Sequence, residues 1–279
     1  MAVRSTLPVG LVAADLDGTL VGRDRSVSDR VRRAIDLCRA RGVPVVAVTA
    51  RRWFAAETLV RELHLGPLAL VAGGAVIRDV VTGAVVDAVE LPRQLVRAAV
   101  EAISAAGLPP MIGAAGGDLQ LAGPAAEDNA PTADYLSRGA VERHADLAAA
   151  AVPAARVLAM GPERSILAAA AACAGLTAYV LVQPCIIQPA ECEERQFELH
   201  VAAADKGSGF LRVCALLDVD PAHSLAVGDA PGDLPLLAAA GIGVLMGDAA
   251  PELRREGMVI APALADDGSA WALETLVLA

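Results

Sequence analysis

Two aspartates, Asp15 and Asp17, stand one residue apart at the end of an apolar run that begins at Val9. Such a run, followed by Gly18 and Thr19, is typical of a buried strand of a parallel sheet that ends in a loop. Side chains alternate along a strand, so both carboxyl groups start from the same side. Open α/β sheets bind ligands at the carboxyl ends of their strands. The pair therefore indicates a site for a divalent cation, or one nucleophile beside one acid/base, with a plain loop as the alternative.

Further polar side chains stand where a predicted strand ends or a predicted helix begins: Thr49, Lys206, Asp229 and Asp233. If the strands are joined by right-handed crossovers, the ends of these strands lie on the same edge as Asp15. Considered alone, Thr49 predicts a helix N-cap and Lys206 a solvated charge at a helix start. Asp229 and Asp233, considered alone, predict turn and cap residues.

The pattern of elements predicts two regions of different character. Apolar runs alternate with helical patterns near both ends of the chain, which is typical of a parallel sheet with helices around it. From about Pro92 to Glu194, strand candidates, including 178–182 and 185–188, are pooled with a few helices. This composition indicates an inserted α+β unit, with the polar run Glu191–Arg195 as the return linker. We therefore predict a core of residues 1–84 and 195–279, and an inserted unit of residues 85–194.

Bulk composition narrows the possible functions. The chain has 279 residues and a formal net charge of −10, which disfavours binding to nucleic-acid phosphates. The sequence contains no run of 18 apolar residues, so no membrane span is predicted. No export signal is recognised before Asp15. The five cysteines form no CxxC pair, and the four histidines show no metal-binding spacing, so a zinc site is not expected. These features predict a cytoplasmic protein whose thiols are reduced.

The ordered set of segments resembles the haloacid dehalogenase (HAD) superfamily of phosphatases. It is most similar to the Cof-like branch, which has a large α/β cap inserted after the second motif. The resemblance covers nearly the whole chain and is carried by the Asp15–Leu20 and Gly228–Gly241 segments, which are specific, and by Thr49 and Lys206, which are weaker signals. It implies an α/β fold with a Rossmann-like parallel-sheet core and an inserted α+β cap domain that sets substrate specificity.

The resemblance also implies a role for each residue. Asp15 is expected to be the nucleophile that forms an aspartyl-phosphate, Asp17 the general acid and base, and Lys206 the positive charge beside Asp15. Mg²⁺ is the expected cofactor, held by Asp15, the backbone carbonyl of Asp17, and Asp229, with Asp233 binding directly or through water. The residues expected to contact the substrate phosphate are Gly18, Thr49, Ala50 and Arg51. The implied partner is a small phosphorylated metabolite such as a sugar phosphate, and the chain is expected to be a monomer or homodimer.

Three positions depart from the family pattern: Ala50, Gly73 and Gly232 replace residues that are usually Gly, Asn and Asn. The lost amides could weaken phosphate or substrate contacts. These departures motivate a non-catalytic interpretation, and a phosphomutase or a sugar-phosphoglycerate phosphatase on the same fold is one alternative to a simple phosphatase. A non-catalytic metabolite-binding protein is the other, because a fold alone does not guarantee activity.

Overall fold

The structure is a computed structural model that describes residues 8–22, 25–116, 118–150, 152–185 and 194–279. The contacts among the described residues divide the chain into two compact units. Unit 1 contains the residues up to Val86 together with Asp205–Ala279, and unit 2 contains Asp87–Ala204. The predicted fold class is confirmed, because a parallel-sheet core is interrupted by an inserted α+β unit.

The described strands, in chain order, are β1 (Leu11–Ala14), β2 (Val45–Val48), β3 (Leu68–Val71), β4 (Val76–Asp79), β5 (Val85–Ala88), β6 (Met111–Ala114), β7 (Gln120–Ala122), β8 (Val141–Arg143), β9 (Ala154–Pro162), β10 (Tyr179–Pro184), β11 (Gln196–Ala202), β12 (Ser224–Gly228), β13 (Ile242–Leu245) and β14 (Val259–Ile260). The described α-helices are α1 (Asp29–Ala40), α2 (Trp53–Glu62), α3 (Arg93–Ala105), α4 (Ala130–Leu136), α5 (Glu163–Cys173), α6 (Lys206–Leu216), α7 (Leu234–Ala239) and α8 (Gly268–Leu276).

The larger sheet brings the predicted strand ends to one edge. Among the described residues its strand order is β14-β13-β12-β1-β2-β3-β4-β5, and the strands from β14 to β3 run parallel. Strand β4 turns back antiparallel to β3. Strands β12, β1 and β2 are direct neighbours, so the residues that follow them emerge side by side at their carboxyl ends.

Local sequence signals explain why the flanking helices form. Helix α1 begins after Ser28, whose side chain accepts a hydrogen bond of 3.1 Å from the backbone N–H of Val31. Its buried residues, at helical spacing, are Val31, Ala34, Ile35 and Cys38. This face packs towards the core as the sequence predicts, because burial of apolar surface is the main stabilising term for such a helix.

Unit 2 is built on a second sheet, whose described strands have the order β10-β11-β9-β6-β7-β8. The pairs are antiparallel apart from β7 with β8. Helices α3 and α5 contribute Ile103 and Ile166 to an apolar core shared with Val157 and Leu199 of the sheet. On the other face of the sheet, Leu136 of α4 joins a smaller apolar cluster with Met111 and Leu158. Helices packed on a mostly antiparallel sheet are the α+β arrangement that the sequence predicts.

The return to unit 1 differs from the sequence prediction. Residues 196–202 are expected in the core, but they form β11, which pairs with β9 and β10 inside unit 2. The signal is present in the sequence, because buried Leu199 and Val201 alternate with polar residues at the period of a strand. Strand β10 extends to Pro184, beyond the predicted 178–182. The predicted strand 185–188 and linker 191–195 lie mostly outside the described residues, which end at Cys185 and resume at Glu194.

Two further observations bear on the sequence predictions. No helix within the described part of the chain is both long and apolar enough to cross a membrane. Four described cysteines are buried: Cys38, Cys173, Cys185 and Cys214. These thiols act as small apolar core residues, as expected.

Gly74, which follows β3, permits a close approach to the start of α6. Its φ is +109°, and a Cβ placed there would lie 2.0 Å from the carbonyl oxygen of Asp205. Asp205 is the N-cap of α6, and its side chain accepts from the N–H of Ser208 at 2.7 Å. The missing side chain of Gly74 therefore lets β3 lie against the segment that positions Lys206.

We predict that Gly74→Ala lowers the melting temperature by at least about 6 °C, because a steric clash with backbone is added to the strain of a positive φ. Gly42→Ala is the matched control, since Gly42 has a φ of +77° and a Cβ placed there would meet no atom within 4 Å. That control carries the backbone strain alone and should lower the melting temperature by no more than about 4 °C. Equal losses in a thermal unfolding assay would contradict the proposed close approach.

Candidate active site

The predicted site residues are delivered by the adjacent carboxyl ends of three strands and by the start of one helix. Asp15 directly follows β1, Thr49 directly follows β2, and Asp229 directly follows β12. Lys206 is the first residue of α6, where the capping pair Asp205 and Ser208 begins the helix. The sheet order therefore explains why residues up to 214 positions apart in the sequence meet at one edge.

A buried ammonium group joins two of these carboxylates. Lys206 Nζ lies 2.6 Å from Asp15 Oδ1 and 2.5 Å from Asp233 Oδ1. The exposed fractions are 7% for Lys206, 5% for Asp15 and 0% for Asp233. The structure thus places Lys206 inside the site, and the alternative of a solvated charge at a helix start is wrong. A charged group at this depth is stabilised by paired hydrogen bonds to opposite charges.

Asp233 also organises the loop that carries Asp229. Its second oxygen, Oδ2, accepts from the backbone N–H groups of Asp229 at 3.1 Å and Ala230 at 3.0 Å. Both oxygens of Asp233 are therefore engaged by protein donors. The Asp233 carboxylate holds the loop after β12 and the Lys206 ammonium at the same time.

Asp229 sits against the Asp15–Leu20 segment. Thr19 Oγ1 donates to Asp229 Oδ1 at 3.2 Å. Gly18 has a φ of +87°, and a Cβ there would lie 2.3 Å from Asp229 Oδ2. Glycine at this position therefore lets the backbone after β1 approach the Asp229 carboxylate.

Burial and mutual repulsion raise the pKa values of two of these acids, Asp15 and Asp229. Burial raises the pKa of Asp15 well above its ordinary value, although Lys206 acts in the opposite direction. Burial, and then the negative charge of Asp233, raise the pKa of Asp229 to about 7. Burial alone would lower the pKa of Lys206, but Asp15 and Asp233 raise it above its ordinary value, so the ammonium stays charged.

Asp17 has a partner of its own. Arg51 Nε donates to Asp17 Oδ2 at 2.7 Å, and Arg51 Nη2 donates to Asp17 Oδ1 at 2.5 Å. This contact raises the pKa of the Arg51 guanidinium. Arg51, which the resemblance assigns to phosphate, is bound to a carboxylate in this structure.

The remaining predicted residues lie at the same edge. Thr49 is buried, and its hydroxyl oxygen accepts from the backbone N–H of Arg51 at 3.1 Å. The N-cap of α2 is Arg52, so the alternative of Thr49 as a helix cap is wrong. Ala50 carries no polar side chain and can offer a ligand only its backbone groups.

The arrangement of acids suits a hard divalent cation. Within the residues that the structure describes, carboxylate oxygens of Asp15, Asp229 and Asp233 all lie within 4.8 Å of one another. One ammonium cannot neutralise three carboxylates. Burial raises the pKa of Asp229, and the negative charge of Asp233 raises it further. Oxygen ligands of this kind fit Mg²⁺, which binds through one or two carboxylates and keeps several waters.

Sequence reasoning missed two features of the site. It gave no role to Thr19, whose hydroxyl orients Asp229, although Thr19 lies inside the most specific motif. It also missed the pairing of Arg51 with Asp17. Asp17 follows β1 and Arg51 follows β2, so their contact could not be inferred from the spacing of residues along the sequence.

Comparison with known proteins identifies the family. Residues 12–273 match the haloacid dehalogenase-like hydrolase family. Since the match covers most of the chain, this protein belongs to that family, and the resemblance seen in the sequence is confirmed.

Curated relatives match a shorter region. A phosphoglycolate phosphatase from Methanopyrus kandleri is 37% identical over 81 residues, which are 29% of this chain and 35% of the relative. A 5-amino-6-(5-phospho-D-ribitylamino)uracil phosphatase from Bacillus subtilis is 34% identical over 76 residues, or 27% of this chain and 30% of the relative. The chain thus spans about a third of the length of the curated relatives it matches.

Solved structures match along the whole length. A haloacid dehalogenase-like hydrolase from Bacteroides thetaiotaomicron has a TM-score of 0.74 at 22% identity, covering 95% of this chain and 98% of that one. A sugar phosphatase of HAD subclass IIB has a TM-score of 0.76 at 15% identity, covering 95% and 97% of the two chains. At these identities the likeness shows the shared fold.

We predict that the burial of Asp229, together with the negative charge of Asp233, makes the metal-free protein less stable as the pH rises. The pKa of Asp229 lies near 7 in the folded chain, against 3.8 ordinarily, so the folded chain keeps a proton that the unfolded chain releases. The contribution of this group to stability therefore falls between about pH 4 and about pH 7. Asp229→Asn replaces the titrating carboxyl group with an amide, so this pH-dependent loss of stability should be absent from the variant.

Thermal unfolding in the presence of a chelator measures the effect. The melting temperature of Asp229→Asn should exceed that of the wild type by an amount that grows from pH 4.5 to about pH 7 and then levels off. Asp266→Asn, which removes an exposed carboxyl group from unit 1, is the control. A difference that stays constant over this pH range would show that Asp229 does not retain its proton in the folded chain.

Proposed function

We propose that this protein is a cytosolic, Mg²⁺-dependent phosphomonoester hydrolase that acts through an aspartyl-phosphate intermediate. The observation that carries the proposal is the buried Lys206 ammonium, which holds Asp15 and Asp233 beside Asp229. Phosphoryl transfer of this kind needs a nucleophilic carboxylate, a fixed positive charge and further acidic groups that can bind a metal ion.

Asp15 is the proposed nucleophile. One of its oxygens is held by Lys206 at 2.6 Å, which fixes the carboxylate so that the other oxygen can attack phosphorus. Lys206 then faces the negative charge that develops on the transferring group, in a site where water is largely excluded. Asp17 donates a proton to the leaving oxygen and later accepts one from the hydrolytic water.

The chain's own residues fit the proposed metal. Asp15, Asp229 and the backbone carbonyl of Asp17 would hold Mg²⁺, which supplies Lewis-acid stabilisation of phosphate charge when bound. Asp233 is better suited to contact the ion through water, because both of its oxygens already accept hydrogen bonds from protein donors. Thr49 and the backbone N–H group of Ala50 are the proposed phosphate contacts. The N–H of Gly18, which the resemblance also assigns to phosphate, instead donates to the carbonyl oxygen of Val21 at 3.0 Å.

The substrate is proposed to be a small phosphorylated metabolite of the sugar-phosphate type. The names of the curated relatives and of one structural neighbour support this class, since they include phosphatases of phosphoglycolate and of sugars. Unit 2 is the proposed specificity domain, as the resemblance implies, and the curated relatives are named for different compounds.

We predict phosphate release from p-nitrophenyl phosphate and from a panel of sugar phosphates in the presence of Mg²⁺. Asp15→Asn should lower kcat by at least about 1000-fold, because an amide is a far weaker nucleophile than a carboxylate. A chelator should abolish turnover by the wild type, and added Mg²⁺ should restore it. Asp266→Asn is the control for loss of a carboxyl group outside the site.

The outcomes separate the proposed function from its alternatives. Equal turnover by the wild type and Asp15→Asn would end the proposal. Transfer of the phosphoryl group back to substrate, with little inorganic phosphate released, would indicate a mutase. Binding of orthovanadate without turnover of any ester would indicate a non-catalytic binding protein.

A further inference from the structure

The carboxylate of Asp229 is held differently from the other acids of the site. Asp15 and Asp233 accept hydrogen bonds from the charged ammonium of Lys206. Among the described residues, the neutral hydroxyl of Thr19 is the one group that donates a hydrogen bond to the Asp229 carboxylate, with 3.2 Å between Thr19 Oγ1 and Asp229 Oδ1. A neutral donor fixes the direction of a carboxylate without neutralising it, so the negative charge stays available for a cation.

Thr19 is itself fixed by the fold of the segment that follows β1. Its side chain is fully buried, with 0% exposed. The N–H of Val21 donates to the carbonyl oxygen of Leu16 at 2.8 Å, and the N–H of Gly18 donates to the carbonyl oxygen of Val21 at 3.0 Å. These two hydrogen bonds close a compact turn around Thr19. The hydroxyl is therefore presented to the acid from a defined position.

The second oxygen of the Asp229 carboxylate also faces this turn. A Cβ placed on Gly18 would lie 2.3 Å from Asp229 Oδ2, so the backbone of Gly18 lies close to that oxygen. The hydrogen bond from Thr19 meets one oxygen and the backbone of Gly18 meets the other. Together these contacts oppose rotation of the carboxylate about the bond that joins it to Cβ.

We propose that Thr19 is a positioning residue for the metal ion, because its hydroxyl orients the carboxylate of Asp229 for binding of Mg²⁺. This inference rests on the metal site of the proposed function. Carboxylate oxygens of Asp15 and Asp229 lie within 4.8 Å of each other, so both can reach one ion. Groups that hydrogen-bond to metal ligands orient them, and loss of such a group typically weakens metal binding by about 10- to 100-fold.

The test replaces the hydroxyl of Thr19 with a methyl group of similar size. Thr19→Val should raise the Kd for Mg²⁺ by at least about 10-fold. The Kd is obtained from the rise of the melting temperature with Mg²⁺ concentration, a measurement that needs no turnover. The titration is done at pH 8, above the pKa of about 7 of Asp229, so that release of a proton contributes little to the difference. The Mg²⁺ concentration that gives half-maximal hydrolysis of p-nitrophenyl phosphate should rise in parallel.

Two further variants show whether the hydroxyl itself is responsible. Thr19→Ser keeps the hydroxyl and loses only the methyl group, so its Kd should stay within about 3-fold of that of the wild type. Thr132→Val is the matched control. Thr132, in α4 of unit 2, is also fully buried, and its Oγ1 has no hydrogen-bond partner within the described part of the chain. The same atoms are exchanged there at equal burial, and the Kd for Mg²⁺ should not change.

A purely structural role of Thr19 gives a different result. Thr19→Val would then lower the melting temperature equally with a chelator and throughout the Mg²⁺ titration, and the Kd would rise by less than about 10-fold, which overturns the inference. An equal rise of the Kd in Thr19→Ser would overturn it as well, since the hydroxyl is retained. Thr19→Ala, which removes the hydroxyl without adding an atom, is held to the same criterion if Thr19→Val does not fold.

Failure of the proposed function is recognised separately. Mg²⁺ binding that depends on Thr19, without turnover of any ester by the wild type, would overturn the proposed function and leave this inference standing. Absence of Mg²⁺ binding by the wild type would overturn the metal site and this inference together.

Discussion

The buried ammonium of Lys206 is the interaction on which the site depends. It joins Asp15, which follows the central strand, to Asp233, which belongs to the last motif. Burying three charged groups costs several kcal/mol for each ion, and good geometry offsets this cost only in part. A packed apolar cluster would stabilise the same position more readily. Stability alone therefore does not explain the cluster of Lys206, Asp15 and Asp233, whereas the proposed reaction does.

Each acidic side chain at this edge of the sheet accepts a hydrogen bond from a particular donor. Lys206 donates to Asp15 and Asp233, and Arg51 donates to Asp17. Asp229 accepts from a neutral donor, the hydroxyl of Thr19. Burial, and then repulsion from Asp233, raise the pKa of Asp229. A bound cation would relieve this repulsion, and it would also make the site accept an anionic substrate. The same negative charge that favours binding of the proposed metal ion would, once neutralised, allow the phosphorylated substrate to bind.

Much of this arrangement could be predicted from the sequence because it follows from strand ends. Apolar runs that stop at Asp15, Thr49 and Asp229 predict a common edge once the strands are parallel. Contacts between side chains from different strand ends, such as Asp17 with Arg51, could not be predicted, because they depend on rotamers and on the exact separation of two loops. The polar run Glu191–Arg195 resembles a return linker, so the sequence prediction ends unit 2 before β11, whose alternation of apolar and polar residues is that of a strand.

The return of the chain from unit 2 has a consequence for how such proteins diversify. Unit 2 ends at Ala204, the next residue caps α6, and Lys206 follows immediately. A replacement module of any size can be spliced into the chain only if the Asp205–Lys206 junction is kept intact. A shift of one residue at this boundary would carry the ammonium of Lys206 away from Asp15 and Asp233, so the end of the inserted module is geometrically fixed.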